Sequence, residues 1–272
     1  MKKYKIALTI AGSDPSGGAG MQADLKTFSA LGVYGASAIV AVVDENTRGV
    51  YGVHPVPASF VAGQIRSVID DLGVDAVKIG MLHDSELIRT VRDTLAAYPD
   101  VRDIVLDPVM VATSGDPLLQ PEAVATLKDE LIPHARVITP NLPEASLLLG
   151  TTIYHQDQFA DAAIALSAQC GGVSVMLKAG HLENEMLTDI FYNAESQTIK
   201  ELSSPKVDTT NTHGTGCTLS SAIAAYLAKG ATLDEAITGA KAYISEAIRC
   251  GADYTIGGGH GPVHHFHTLW PK

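Results

Sequence analysis

The sequence predicts an α/β protein: a central, mostly parallel β-sheet covered on both faces by helices. Three observations predict it. Short apolar runs rich in Val and Ile recur along the chain without alternating with polar residues, as strands buried on both faces do. Between them lie stretches whose apolar residues fall three and four apart, the spacing of a helix with one buried face. Each apolar run also ends in polar or glycine-rich sequence. Strand–helix–strand repetition of this kind builds three layers, helices packing on both sides of the sheet.

The first strand is expected over residues 5–12; a glycine-rich stretch and a helix over 21–31 follow it. A strand over 36–43 precedes a helix over 59–72, a strand over 75–82 precedes a helix over 85–98, and a strand over 103–110 precedes a helix over 121–132. A strand over 135–141 leads into helices over 144–149 and 158–169, and the strand over 173–180 closes the series. After Ser203 the character changes: a polar stretch, the motif at 211–218, helices over 215–229 and 233–250, then a His-rich tail. No Pro/Ser-rich linker or charge run divides the chain, so residues 1–272 read as one domain.

Composition narrows the function classes. The chain carries 19 Lys and Arg against 30 Asp and Glu, a net charge of −11. That balance argues against general nucleic-acid binding, which needs clustered positive charge. With 272 residues, 46% apolar and 18% charged, it is no disordered chain. A chain this long buries roughly 70–75% of its unfolded surface and needs no disulfide or metal staple. Cys170, Cys217 and Cys250 are odd in number and widely spaced, which fits a reducing compartment. The basic start followed by residues 6–12 mimics a signal peptide, but its apolar stretch is short and runs straight into a glycine-rich turn, so a first strand is the better reading. No apolar run approaches the ~20 residues of a spanning helix. The expectation is a cytoplasmic protein with no membrane and no nucleic-acid partner.

The strand ends carry the functional signal. They read Gly12-Ser13-Asp14, Asp44-Glu45-Asn46, Gly80-Met81, Asp107-Pro108, Thr139-Pro140-Asn141 and Lys178-Ala179-Gly180. In a parallel sheet the carboxyl ends share one edge, where ligands bind, so these remote segments should converge. The strongest motif is Asn211-Thr212-His213-Gly214-Thr215-Gly216-Cys217-Thr218, which opens a helix. Glycines there admit a ligand to the backbone, and free N–H groups with the helix dipole form an anion site. It is neither a P-loop nor a dinucleotide fingerprint. In that first turn a thiol pKa of about 8.5 is expected to fall, making Cys217 a usable base or nucleophile; the competing reading is a small cysteine packing the helix. The loop at 12–20 either cradles an anion or is simply a tight turn. Glu144 complements a helix dipole or serves the site, and Asp107 holds Mg²⁺ or caps a turn. Lys178, ending an apolar strand, needs a carboxylate or a phosphate. His260, His264, His265 and His267 lack a zinc-site spacing and read as an ordinary tail.

Taken together, these motifs resemble the hydroxymethylpyrimidine and phosphomethylpyrimidine kinases of thiamine biosynthesis, within the ribokinase-like superfamily. The resemblance runs from Leu8 to Trp270. It is carried by residues 11–28, Asn46-Thr47-Arg48-Gly49-Val50, Lys78-Ile79-Gly80-Met81, Ser114-Gly115-Asp116-Pro117-Leu118, residues 139–144 and 211–218, and Gly261-Pro262-Val263-His264-His265-Phe266. It implies a three-layer α/β/α fold, ATP and Mg²⁺, and two successive phosphoryl transfers to an aminopyrimidine alcohol and then to its monophosphate. The ring contacts it implies are Gly12, Glu45, Met81 and Val109. ATP and phosphate fall to Asn141, Lys178, Thr212 and Lys241, metal to Asp107 and Glu144, and the anion hole to Gly214, Thr215, Gly216 and Cys217. A homodimer is the assembly it implies. Two positions depart from the family pattern: Glu45 replaces a Gln, and Ala179 replaces the commoner Gly. Competing readings are a pyridoxal kinase, a non-catalytic pyrimidine-binding regulator, and a cysteine hydrolase using Cys217 beside His213.

Overall fold

The computed structural model describes residues 2–110, 118–180, 182 and 184–270 of the chain. Ser114, Gly115, Asp116, Pro117 and His181, the last beside the departure at Ala179, lie outside the described residues. A sheet of eight strands is the frame. In chain order its strands are β1 (Ile6–Ala11), β2 (Tyr34–Ile39), β5 (Ala76–Ile79), β6 (Ile104–Leu106), β7 (Val137–Ile138), β8 (Ser174–Leu177), β9 (Met186–Asn193) and β10 (Thr198–Pro205). Across the sheet the order is β10-β9-β8-β7-β6-β5-β1-β2. The six strands from β8 to β2 run parallel. β9 and β10 close one edge as an antiparallel hairpin.

The strands bury both faces, and successive side chains divide between two cores. Leu8, Ile10, Val77, Ile79, Leu106, Ile138, Val175 and Leu177 enter one. There α2 (Ala58–Leu72), α3 (Ser85–Ala96), α4 (Ala123–Thr126), α5 (Leu142–Leu149) and α6 (Phe159–Gln169) pack. Ala7, Ala76, Val105, Val137 and Met176 enter the other. That face is covered by α1 (Gly20–Ala30), α7 (Thr215–Ala228) and α8 (Leu233–Gly251). The expected three-layer architecture and the expected order of elements are therefore present.

Three segments differ from expectation. The run at 36–43 is not one strand. Val40 N–H makes its bond to Ala11 O, where β1 ends, and Ser13 N–H bonds to Ala41 O. Having lost its neighbour in the main sheet, the chain continues as β3 (Ala41–Asn46), paired antiparallel with β4 (Gly49–Pro55) in a separate two-stranded sheet. The β9–β10 hairpin has no counterpart in the expected elements, because β10 carries mostly exposed side chains and shows no continuous apolar run. The helix expected over 121–132 is α-helical only to Thr126, then widens over Leu127–Leu131 and tightens over Ile132–His134. Pro133 has no N–H to extend the α-helical ladder.

Candidate active site

The parallel strands end in step. Gly80 N–H bonds to Ile10 O at 2.9 Å, Asp107 N–H to Ile79 O at 2.9 Å, Thr139 N–H to Leu106 O at 3.1 Å and Lys178 N–H to Pro140 O at 3.0 Å. These bonds bring Gly12, Met81, Asp107, Asn141 and Lys178 out along one edge, as the strand-end pattern predicts. The order reverses at β1, which lies between β2 and β5, so the crevice opens beside Gly12 and Gly80.

The start of α7 leans over this edge. Gly214 is its N-cap, with φ of 77°. A β-carbon there would overlap Gly18 O, so the 12–20 loop and the α7 start touch backbone to backbone. Two residues on, a β-carbon on Gly216 would lie 3.1 Å from Lys178 Nζ and 3.2 Å from Asp107 Oδ2. The helix start thus faces a fixed cation and a carboxylate; Thr215 N–H bonds to Thr212 O at 3.3 Å, so the N–H groups of Gly216 and Cys217 are those that the helix geometry leaves for a ligand.

Asp107 Oδ1 accepts from Thr139 Oγ1 at 2.8 Å and from Lys178 Nζ at 3.1 Å. Burial alone would lower the Lys178 ammonium, but Asp107 and Glu144 hold it charged, above its ordinary value. Glu144 is only 6% exposed. Burial, reinforced by Asp107, pushes its carboxyl up against the opposing pull of Lys178. Glu144 also completes a capping box: its Oε2 accepts from Asn141 N–H at 2.8 Å, while Asn141 Oδ1 accepts from Glu144 N–H at 2.9 Å. The capping role is therefore present, at the same edge as Asp107 and Lys178. Lys241, on α8, donates to Asp189 Oδ2 at 2.8 Å, and Asp189 Oδ1 accepts from Ala179 N–H at 2.7 Å. Lys241 is thereby tethered beside the end of β8. Asp189 is absent from the expected site residues because it lies in the hairpin that no apolar run marks. Val109 donates its N–H to Asp107 O at 2.8 Å, and Thr212 donates to Thr210 O at 3.0 Å in the turn before Gly214.

Cys217 corrects an expectation. It sits in the first turn of α7, yet its thiol is pushed up to about 12, not down. Burial is the largest cause. Asp24 and Asp107 add to it, and Lys78 and the Gly20 backbone only partly oppose it. The helix dipole is outweighed by burial and by the two carboxylates acting on this half-buried residue.

On the other side of the crevice, a β-carbon on Gly12 would meet Met81 Cε at 2.9 Å and Val43 Cγ2 at 3.6 Å, so these three form a flat apolar wall. Beside it, the ligating atoms of Asp14, Glu45 and His213 all lie within 4.8 Å of one another. His213 Nε2 is 2.9 Å from Asp14 Oδ2, and Asp14 also accepts from the N–H groups of Ser16 and Ala19. Burial would raise Asp14, but His213 and these donors hold it well below the usual carboxylate range. Glu45 goes the other way: burial first and the facing Asp14 second push it up to about 7, with His213 opposing. Asp14 is not among the expected site residues, and His213 enters only the hydrolase reading. Their signal is that each is the ionisable residue of a glycine-rich loop, and two such loops are expected to meet. In the tail, His265 is buried with Nε2 3.1 Å from Thr218 Oγ1, and burial pushes it down to about 3.

A fixed cation and a row of backbone N–H donors at the mouth of a crevice suit the charge that develops on a migrating phosphoryl group. The class that this fold and this edge define is the small-molecule kinases. The model of the family described as phosphomethylpyrimidine kinase matches residues 14–264, and the chain belongs to that family. Among its relatives is the hydroxymethylpyrimidine/phosphomethylpyrimidine kinase of Rhizobium meliloti, 52% identical over 266 residues, covering 97% of this chain and 98% of that protein. The solved phosphomethylpyrimidine kinase of Clostridium difficile 630 has a TM-score of 0.78 and 43% identity, over 89% of this chain and 99% of that one. An ADP complex of Bacillus subtilis pyridoxal kinase has a TM-score of 0.88 and 40% identity, over 98% of this chain and 99% of that one. The fold is ribokinase-like, and the protein is a phosphotransferase of the ATP-using kinases.

Two outcomes follow from this geometry. Gly214→Ala places a β-carbon on Gly18 O at a positive φ; it is expected to lower Tm by about 5 °C and remove turnover, as thermal melts and assays would show. Glu45 has a folded-state pKa above its ordinary 4.5, so its contribution to stability is full below that value and is lost as pH rises through about 7. Glu45→Gln, which cannot ionise, should gain Tm relative to the unsubstituted protein between about pH 5 and about pH 8.5, by a few degrees after allowance for solvent screening.

Proposed function

We propose that the protein transfers the γ-phosphoryl group of ATP to the hydroxymethyl oxygen of 4-amino-5-hydroxymethyl-2-methylpyrimidine, and then transfers a second phosphoryl group to that monophosphate. The observation that carries the reading is the meeting of the α7 start, at Gly216, with Lys178 and Asp107. Lys178, held by Asp107, neutralises phosphate charge; the first N–H groups of α7 receive the transferred oxygens. Gly12, Met81 and Val43 supply a flat face for the ring, with Glu45 at its polar edge and Val109 nearby. Asn141, Thr212 and Lys241 flank the path of the ATP phosphates. The oxygen donors Asp107 and Glu144 suit a hard divalent cation, and Mg²⁺ there would shield the phosphates.

In the first transfer the hydroxymethyl oxygen bonds to phosphorus while the bond to ADP breaks. The transition state is loose, so the hydroxyl proton leaves late, passing to an oxygen of the transferred phosphoryl group as the bond to phosphorus forms. With its thiol still protonated, Cys217 orients the attacking hydroxyl through its sulfur and does not remove the proton in advance. The second acceptor is an ionised phosphate and has no hydroxyl to orient. The assembly proposed is a cytoplasmic homodimer. The few, widely spaced cysteines suit a reducing compartment, and the β3–β4 sheet, which presents Val42 and Tyr51 to solvent, offers apolar surface for contact. Light scattering would read the dimer as twice the chain mass. Pyridoxal is the second reading, favoured by the likeness to the Bacillus subtilis pyridoxal kinase. A kcat/KM on pyridoxal about tenfold above that on the pyrimidine would install it.

Incubation with the aminopyrimidine alcohol, ATP and Mg²⁺ is expected to yield monophosphate and then diphosphate by mass spectrometry; no phosphorylated pyrimidine would reject the reading. Cys217→Ala should slow the first transfer about tenfold or more while changing the second less than about threefold in single-turnover assays. Once Glu45 has titrated, the rate of the first transfer should also stay flat from about pH 8 to about pH 9.5, since a thiol that titrates near 12 does not ionise there. Equal losses in both transfers would remove Cys217 from that role.

A further inference from the structure

Lys78 stands where the fold calls for an apolar side chain. It lies in the middle of β5, on the face where Ala7, Val105, Val137 and Met176 fill the core, and it is 0% exposed. In the strand register it sits between Thr9 and Val105. Its Nζ donates to Asp24 Oδ2 at 2.8 Å, and Asp24, on α1, is also fully buried. Asp24 gathers three elements at once: Thr9 Oγ1 of β1 donates at 2.6 Å, Lys78 of β5 completes the ion pair, and Ser221 Oγ of α7 donates to Oδ1 at 2.6 Å.

Ser221 lies four residues after Cys217, one helical turn along the same face of α7. The side of α7 that Asp24 grips is therefore the side that carries Cys217. The same ammonium lies buried beneath the end of β5, where a β-carbon on Gly80 would lie 2.8 Å from Nζ. Burial alone would discharge this lysine; Asp24 above all, with Asp107, holds it charged. Lys78 is in turn the leading charge that opposes the rise of the Cys217 thiol. Stability does not account for such a pair, since apolar residues of similar volume commonly serve as well or better in a buried position.

We propose that Asp24 and Lys78 are positioning residues for phosphoryl transfer. Asp24, through Ser221, sets the first turns of α7 over the strand ends, and Lys78 keeps a permanent positive charge behind Cys217 and the anion-binding helix start. This inference rests on the kinase reading for its consequence in turnover, although the charge behind Cys217 is measurable without it.

The double variant Asp24→Asn with Lys78→Met removes both charges together and leaves a side-chain amide on α1 able to bond Thr9 and Ser221. It is expected to fold, with kcat down about 100-fold and KM for ATP and acceptor within about threefold. Alkylation of Cys217 by iodoacetamide, followed site by site by mass spectrometry, should slow about twofold, since Asp24, lost together with Lys78, acts on the thiol in the opposite sense. Ser221→Ala, a mild change that keeps the ion pair, should lower kcat about fivefold at unchanged KM and near-unchanged Tm. A folded double variant with kcat within about threefold and unchanged alkylation overturns the charge role; unchanged kcat in Ser221→Ala overturns the positioning role. A double variant that does not fold assigns the pair to stability and overturns the charge role as well. If the unsubstituted protein phosphorylates neither pyrimidine nor pyridoxal, the kinase reading falls alone, and the alkylation rates still decide the charge at Cys217.

Discussion

The site depends on one steric constraint: the backbone of the 12–20 loop and the start of α7 occupy space that no side chain could share. Gly214, at a φ of 77°, lies against Gly18 O, and Gly20, at 53°, would place a β-carbon 2.6 Å from Gly12 O. Only with both contacts made does α7 reach the carboxyl ends of β5 to β8. The two loops are far apart in the chain. The His213–Asp14 pair, at 2.9 Å, ties them a second time with side chains.

Charge follows from that placement. A chain of net charge −11 must receive a highly anionic substrate, and it does so by burying its cations at the edge among acids. Lys178 rests on Asp107, Lys241 on Asp189 and Lys78 on Asp24. For Lys178 and Lys78 the pairing keeps an ammonium charged where burial alone would strip it. Glu45 and Glu144, which have no lysine in direct contact, are pushed upward, whereas Asp14, paired with His213, is held down. The edge is therefore preorganised by pairs whose net charge is small until phosphate arrives.

Much of this was legible from particular residues. The apolar runs at β1, β5, β6, β7 and β8 named their strands because burial on both faces leaves no room for polar residues. The strand-end residues Gly12, Asp107, Asn141 and Lys178 named the edge because parallel strands share it. Glu45 was legible as a departure but not as a group titrating near 7, because that needs Asp14 across the crevice. Residues 36–43 read as one strand because composition does not reveal that β1 has ended at Ala11.

By itself the sequence determined the layer architecture and where backbone must come close. These are local matters: side-chain periodicity and the absence of a β-carbon. Tertiary structure alone decided the second sheet, the antiparallel hairpin, and the partners of Asp14, Asp24 and Asp189. It also turned Cys217 from an expected low-pKa thiol into a high one. The reason is the same in each case: pairing and desolvation depend on atoms brought from distant parts of the chain, and no local pattern records which atoms those are.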